Sequence, residues 1–121
     1  MKKYLLDTNV LIALLNGALE AELPDGDYYF ATVSRVELLS HAALSLSELL
    51  LIDDFLSKLA PIDLSTAVQA QAASLRRSNK IKLPDAVIVA TAIVHDCILL
   101  TNDKALQKLE FCNAIGLSLK Q

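Results

Sequence analysis

Lys3-Tyr4-Leu5-Leu6-Asp7-Thr8-Asn9-Val10-Leu11-Ile12-Ala13-Leu14-Leu15 reads as a strand, an acid and a helix in immediate succession. Residues 3–6 make a short buried strand. Asp7, Thr8 and Asn9 are residue types that close the N-terminus of a helix through a side-chain oxygen. Val10–Leu15 continues as that helix, and Asn16-Gly17 stops it. The same grammar recurs along the chain. Tyr28–Ala31 reads as a second strand. Ser34-Arg35-Val36-Glu37 has the spacing of a capping box opening a helix to about Ala43. Ser45-Leu46-Ser47-Glu48 repeats that box before a helix with Leu49, Ile52, Phe55, Leu56 and Leu59 at helical spacing. Pro61-Ile62-Asp63 is a third strand candidate, and Thr66 to about Asn79 an Ala-rich helix. Pro84 suits the first position of a helix running from Asp85 to His95. That helix is apolar on nearly all sides and belongs in the centre. Cys97–Thr101 reads as a strand, Asn102-Asp103 opens a short helix to about Leu109, and Phe111–Ile115 is a last strand. Alternation of this kind predicts an α/β fold, a three-layer α/β/α sandwich with a mostly parallel central sheet.

Composition agrees. The chain has 121 residues, 54% of them hydrophobic and 21% charged. That length suggests a single domain, 1–121, able to bury its own core. The formal net charge of −3 lends no support to a nucleic-acid partner, though bound divalent cations would offset a local acidic cluster. Cys97 and Cys112 each sit in an apolar run and read as buried thiols, which suits a reduced, cytoplasmic setting. Met1-Lys2-Lys3 precedes an apolar stretch, but Asp7, Asn9 and Asn16 interrupt it, so a signal peptide is not expected. No apolar run approaches the ~18 residues of a membrane span.

Four acids stand out by position. Asp7 and Asp103 follow strand ends, Glu37 lies one turn into a helix that follows a strand, and Asp85 opens the most apolar helix. Each alone has an ordinary explanation as a cap or as an acid favoured by a helix N-terminus. Together they share the carboxyl edge of the sheet, where open α/β folds bind ligands. Carboxylates converging without cations must take up protons or bind a cation. An oxygen-only donor set selects hard ions such as Mg²⁺ or Mn²⁺, and such sites hydrolyse phosphodiesters.

The residues resemble the PIN-domain nucleases. Leu5-Leu6-Asp7-Thr8-Asn9-Val10-Leu11-Ile12 is similar to that family's opening motif, and Thr32-Val33-Ser34-Arg35-Val36-Glu37-Leu38-Leu39 to its second. Leu83-Pro84-Asp85-Ala86-Val87-Ile88-Val89-Ala90-Thr91-Ala92 is similar to the third, and Leu99-Leu100-Thr101-Asn102-Asp103 to the fourth. They occur in the family's order and span nearly the whole chain. Leu106 stands where an aromatic is common, and Asn79–Leu83 where a Gly-Arg element often precedes the third motif. The resemblance implies an Mg²⁺- or Mn²⁺-dependent endoribonuclease with Asp7, Glu37, Asp85 and Asp103 as catalytic, metal-holding residues. It implies that Thr8 and Asn9 brace Asp7, that Ser34 caps the helix of Glu37, and that Thr101 supports the site. Small members are often the toxins of VapBC-type toxin–antitoxin pairs, homodimers silenced by an antitoxin that fills the groove.

Arg35, Lys80, Lys82 and Lys104 flank the acids and are candidates for RNA phosphate contact, with solvated surface as the alternative. Arg76-Arg77 complements a helix C-terminus. His41 lies one turn after Glu37 and could reach the site, or pack on the surface. Asp53, Asp54 and Asp96 read as solvated. The apolar surplus of the Leu46–Leu59 helix could be core or partner surface. Two other functions fit less well. A Mg²⁺-binding phosphoryl-receiver domain would want paired acids after the first strand, where Asp7 stands alone. An inactive RNA- or protein-binding module would most easily have lost a carboxylate, and all four remain.

Overall fold

The computed structural model describes residues 1–19, 22–109 and 113–117. Five strands form one sheet: β1 (Lys3–Leu6), β2 (Asp27–Ala31), β3 (Ala60–Ile62), β4 (Ile98–Leu100) and β5 (Ala114–Ile115). Their order is β3-β2-β1-β4-β5, and every pairing is parallel. The α/β expectation therefore holds, with the sheet wholly parallel. Six helices surround it: α1 (Thr8–Leu15), α2 (Thr32–Leu39), α3 (Leu46–Ser57), α4 (Thr66–Ser78), α5 (Leu83–Val94) and α6 (Lys104–Gln107).

Alternation along the strands builds two cores. Leu5 and Leu99 point to the layer of α4 and α5, joining Val68, Ala72, Leu75, Ile88 and Val89. Tyr4, Leu6 and Leu100 point to the other layer, with Val10 and Leu11 of α1 and Ile52 and Leu56 of α3. Leu5, Leu6, Leu99 and Leu100 are fully buried, which stabilises the fold by about 1.5–3 kcal/mol for each side chain. Strands enclosed on both faces read as unbroken apolar runs, as these do.

The helix limits show where local signals were overruled. Asp7 is the N-cap of α1, and Gly17, at φ 62°, supplies the left-handed residue just past its end. The Ser45–Glu48 capping box forms in full. The expected Ser34–Glu37 box does not. Strand β2 runs straight into α2, whose N-cap is Ala31 with no side-chain cap, so Ser34 already lies inside the helix and is buried. That helix stops at Leu39, capped by Ser40, short of Ala43. Helix α5 meets its expectation, with every residue from Ala86 to Ala92 buried. Of the expected last strand only Ala114–Ile115 is seen; Phe111 and Cys112 lie outside the described residues. Cys97 is a buried free thiol. Among the described residues no helix is long and apolar enough to cross a membrane.

Candidate active site

The strand order reverses direction between β1 and β4. In open parallel sheets, the crevice beyond the strand ends at such a point is where ligands settle. Asp7 follows β1 there, and Thr101 and Asp103 follow β4. Asp7 is only 4% exposed, yet both of its oxygens are partnered. Oδ1 accepts the Thr8 amide at 2.8 Å, and Oδ2 accepts the Thr101 hydroxyl at 2.6 Å. Thr101, fully buried, also accepts the Asp103 amide at 3.0 Å. One hydroxyl therefore joins the ends of β1 and β4 and orients two of the acids. Asp103 in turn caps α6 by accepting from the amides of Ala105 and Leu106.

Glu37 is placed by a second hydroxyl relay. The Thr8 hydroxyl lies 2.7 Å from Glu37 Oε1 and 2.8 Å from Ser34 Oγ. It owns one proton, and the carboxylate can only accept, so Thr8 donates to Glu37 and receives from Ser34. This is the physical use of Ser34, in place of the expected cap. Asn9 is exposed and lines the cavity; bracing of Asp7 falls to Thr8 and Thr101 instead.

Asp85 sits in the first turn of α5, half-buried, and no side-chain hydrogen bond holds it among the described residues. Burial pushes its carboxyl above the usual carboxylate range, and the charges of Asp7, Asp103 and Glu37 push it further, against a smaller pull from Lys82. Burial also raises Asp7, despite the hydrogen bonds from Thr101 and Thr8, with Asp103 and Glu37 adding to the rise. The four acids thus feel one another. Among the described residues the ion pairs are Arg35–Asp53 and Lys58–Asp54, so none of the four is neutralised by a salt bridge.

Asp7, Glu37 and Asp85 open into a cavity of about 470 Å³. Ile12, Leu15, Leu44, Leu51 and Ile52 make its apolar arm, and His41 and Glu48 also line it. Of the flanking cations, Arg35 is taken by Asp53, across α2 and α3, so Asp53 is not merely solvated. Lys80 and Lys82 line a separate depression with Arg76, and Lys104 lies exposed in α6. The apolar arm left no mark in the sequence, because its residues come from α1, α3 and the connection before α3 with no shared spacing.

Among the described residues no three His, Cys, Asp or Glu side chains are grouped closely enough to hold an ion by themselves. The donor chemistry nevertheless fits a hard divalent cation: the candidate donors are all carboxylates, and among the described residues no salt bridge neutralises them. Mg²⁺ is commonly held by one or two carboxylates with waters and substrate phosphate completing the shell, so a closed protein cage is not required.

A family model described as PIN domain matches residues 4–111. The chain belongs to the PIN domain family. The fold is shared with a chain of VapBC2 from Rickettsia felis, solved bound to a fragment of promoter DNA. That match has a TM-score of 0.79 at 20% identity and covers 96% of this PIN domain and 99% of the other chain. A toxin-antitoxin complex from Klebsiella pneumoniae gives a TM-score of 0.77 at 28% identity, over 93% of this chain and 95% of that one. FitAcB from Neisseria gonorrhoeae gives 0.64 at 22%, over 93% and 96%. No curated protein matches the sequence. The sheet order of this PIN domain also separates it from receiver-like α/β folds, whose order is 2-1-3-4-5.

Proposed function

We propose that this PIN domain, one nuclease domain over residues 1–121, is a divalent-metal-dependent endoribonuclease and the toxin of a toxin–antitoxin pair. The reading is carried by one observation: Asp7, Glu37 and Asp85 line one cavity beside the sheet's switch point, with Asp103 just past the end of β4, and no salt bridge among the described residues neutralises any of the four. Asp7, Glu37, Asp85 and Asp103 would hold Mg²⁺ or Mn²⁺. When bound, the cation supplies charge that polarises the scissile phosphate and lowers the pKa of a water.

The chain's own groups do the positioning. Thr8 and Thr101 fix the two oxygens of Asp7, leaving its remaining lone pairs toward the cavity. Thr8 holds Glu37, and among the described residues no donor occupies the side-chain oxygens of Asp85. The apolar arm beside the acids suits the apolar face of a partner helix, which is how an antitoxin would cover the site. The protein would act as a homodimer on cytoplasmic RNA. Relatives described as VapBC and FitAB complexes favour such a partner.

Purified protein incubated with structured RNAs and Mn²⁺ should cleave them, and EDTA should stop it. Asp7→Asn and Asp85→Asn should each lower the cleavage rate by more than about 100-fold, the lower end for losing one group's share in stabilising transition-state charge, here exerted through the cation that the acids hold. Cleavage unchanged in both variants would overturn the site; no cleavage under any divalent ion would overturn the activity.

A further inference from the structure

The acidic cavity includes Asp85 in the first turn of α5, and the segment that leads into that helix is its electrostatic opposite. From Leu64 to Pro84 the sequence contains no Asp or Glu, yet this stretch holds four of the chain's 11 Lys and Arg: Arg76, Arg77, Lys80 and Lys82. The α4–α5 loop folds three of these around a depression of about 480 Å³, lined by Arg76, Asn79, Lys80, Ile81 and Lys82. Arg76 Nε donates to the Ile81 carbonyl at 3.4 Å, which ties the guanidinium to the loop. Asn79 is committed to the loop as well, its side chain donating to the Leu75 carbonyl at 3.1 Å. Among the described residues none of the three cations forms an ion pair. Lys82 is also the N-cap residue of α5 and caps nothing with its side chain, so the helix presents its positive end to the same space.

A basic depression with its own ordered walls, in a chain of net charge −3, is a local anion site. Its position identifies the anion. Lys82 is the N-cap of α5 and Asp85 stands in the first turn of the same helix, so a residue lining the depression and one lining the acidic cavity lie within one helical turn. Three cations on the end of α4 and the loop after it, one helical turn from an acid of the cavity, suit a polyanion that reaches both, such as a strand of phosphates.

We propose that Arg76, Lys80 and Lys82 form a backbone subsite that grips phosphates of the substrate RNA strand to one side of the scissile bond. This rests on the ribonuclease reading above, and it adds to it: the acids by themselves repel the strand, and the loop supplies the attraction that brings it to them. The grip is sequence-independent, so it sets affinity and register while leaving base choice to the cavity.

Fluorescence anisotropy in EDTA tests binding apart from cleavage. The probe is a fluorescein-labelled single-stranded oligoribonucleotide of mixed sequence, titrated between about 50 and 200 mM salt. For single strands the slope of log K against log salt is about −0.7 for each phosphate neutralised. Arg76→Gln/Lys80→Gln/Lys82→Gln should make that slope shallower by about 2. Because Arg76 also ties the loop, Lys80→Gln/Lys82→Gln is the second variant, with an expected change of about 1.4. Lys58→Gln, beyond the opposite helical layer, should leave the slope unchanged. Unaltered slopes in both loop variants, or no RNA binding by the wild type, would overturn the subsite. A change confined to an oligodeoxyribonucleotide would overturn RNA as its occupant. Cleavage by the wild type with unaltered slopes sinks the subsite alone; lost slopes without cleavage sink the nuclease reading alone.

Discussion

Asp7 and Asp85 line one cavity and are held in contrasting ways. Asp7 is almost completely buried and has a donor for each oxygen, one from the next residue and one from across the sheet. Asp85 is half-buried and has none among the described residues. Both carboxyls are raised, and burial leads in both, but hydrogen bonds restrain the rise only at Asp7. The difference teaches that the site has a fixed half and an adjustable half. The fixed half is set by folding. The adjustable half can respond to whatever cation or phosphate arrives.

The comparison breaks most severely at Thr101. Thr101→Val removes the donor to a buried carboxylate and the acceptor of the Asp103 amide. The expected cost is about 1.5–3 kcal/mol in urea unfolding, the range for a hydrogen bond to a charged group. Cleavage should fall about 10- to 100-fold, as it does when a residue orienting a metal ligand is lost. Wild-type stability in the valine variant would mean that Asp7 does not depend on its tether.

Ser34→Ala is milder. It leaves Thr8 bonded to Glu37 and removes only the hydroxyl that feeds Thr8, at a cost of about 1 kcal/mol. Thermal or urea denaturation reads it directly. A loss as large as that of Thr101→Val would place Ser34 in the fixed half on equal terms.

The smallest effect sharpens the adjustable half. In EDTA, Asp85→Asn should raise Tm by a few degrees at neutral pH, because it removes a charge that burial and three neighbouring acids disfavour. The pH dependence has a definite sign. Asp7 and Asp85 have folded pKa values above those of an unfolded carboxylate, so their contribution is fully present below the unfolded value and is lost as pH rises through the raised ones. Wild-type Tm in EDTA should therefore climb as pH falls from neutral, and Asp85→Asn should flatten the climb. Glu48, lowered by its capping bonds to Ser45, works in the other direction, its contribution lost as pH falls through its lowered pKa. Added Mg²⁺ should lift the wild type at neutral pH more than the variant. A Tm that rises with pH in EDTA would contradict the crowding of charge.

Much of this arrangement is legible in the residues alone. Strands β1 and β4 and helix α5 announce themselves through unbroken apolar runs, and the four acids follow from their places in that frame. Contacts between distant segments leave no such trace. Ser34 carries the spacing of a capping box, but a strand that feeds directly into α2 starts the helix earlier and turns the hydroxyl onto Thr8. Arg35 looks free in sequence and meets Asp53 only because α3 folds back beside α2. Helices α3 and α5 are both apolar, yet Leu46, Leu50 and Leu51 are exposed while Ala86–Ala92 vanish. Small and β-branched residues let α5 sink between the sheet and its neighbours; the leucines of α3 outnumber the core positions open to them.

The hydrogen bond from Thr101 to Asp7 spans 94 residues of sequence. It therefore also carries a temporal meaning. On the ribosome, the strand bearing Asp7 emerges first and its partner very late. Asp7, Glu37 and Asp85 are all synthesised before the residue that aligns Asp7 and positions Asp103. A growing chain cannot complete the carboxylate constellation at the ribosome's exit until β4 has slid in beside β1. Pairing of β4 with β1 thus sets the moment at which Asp7 is aligned and Asp103 brought beside it.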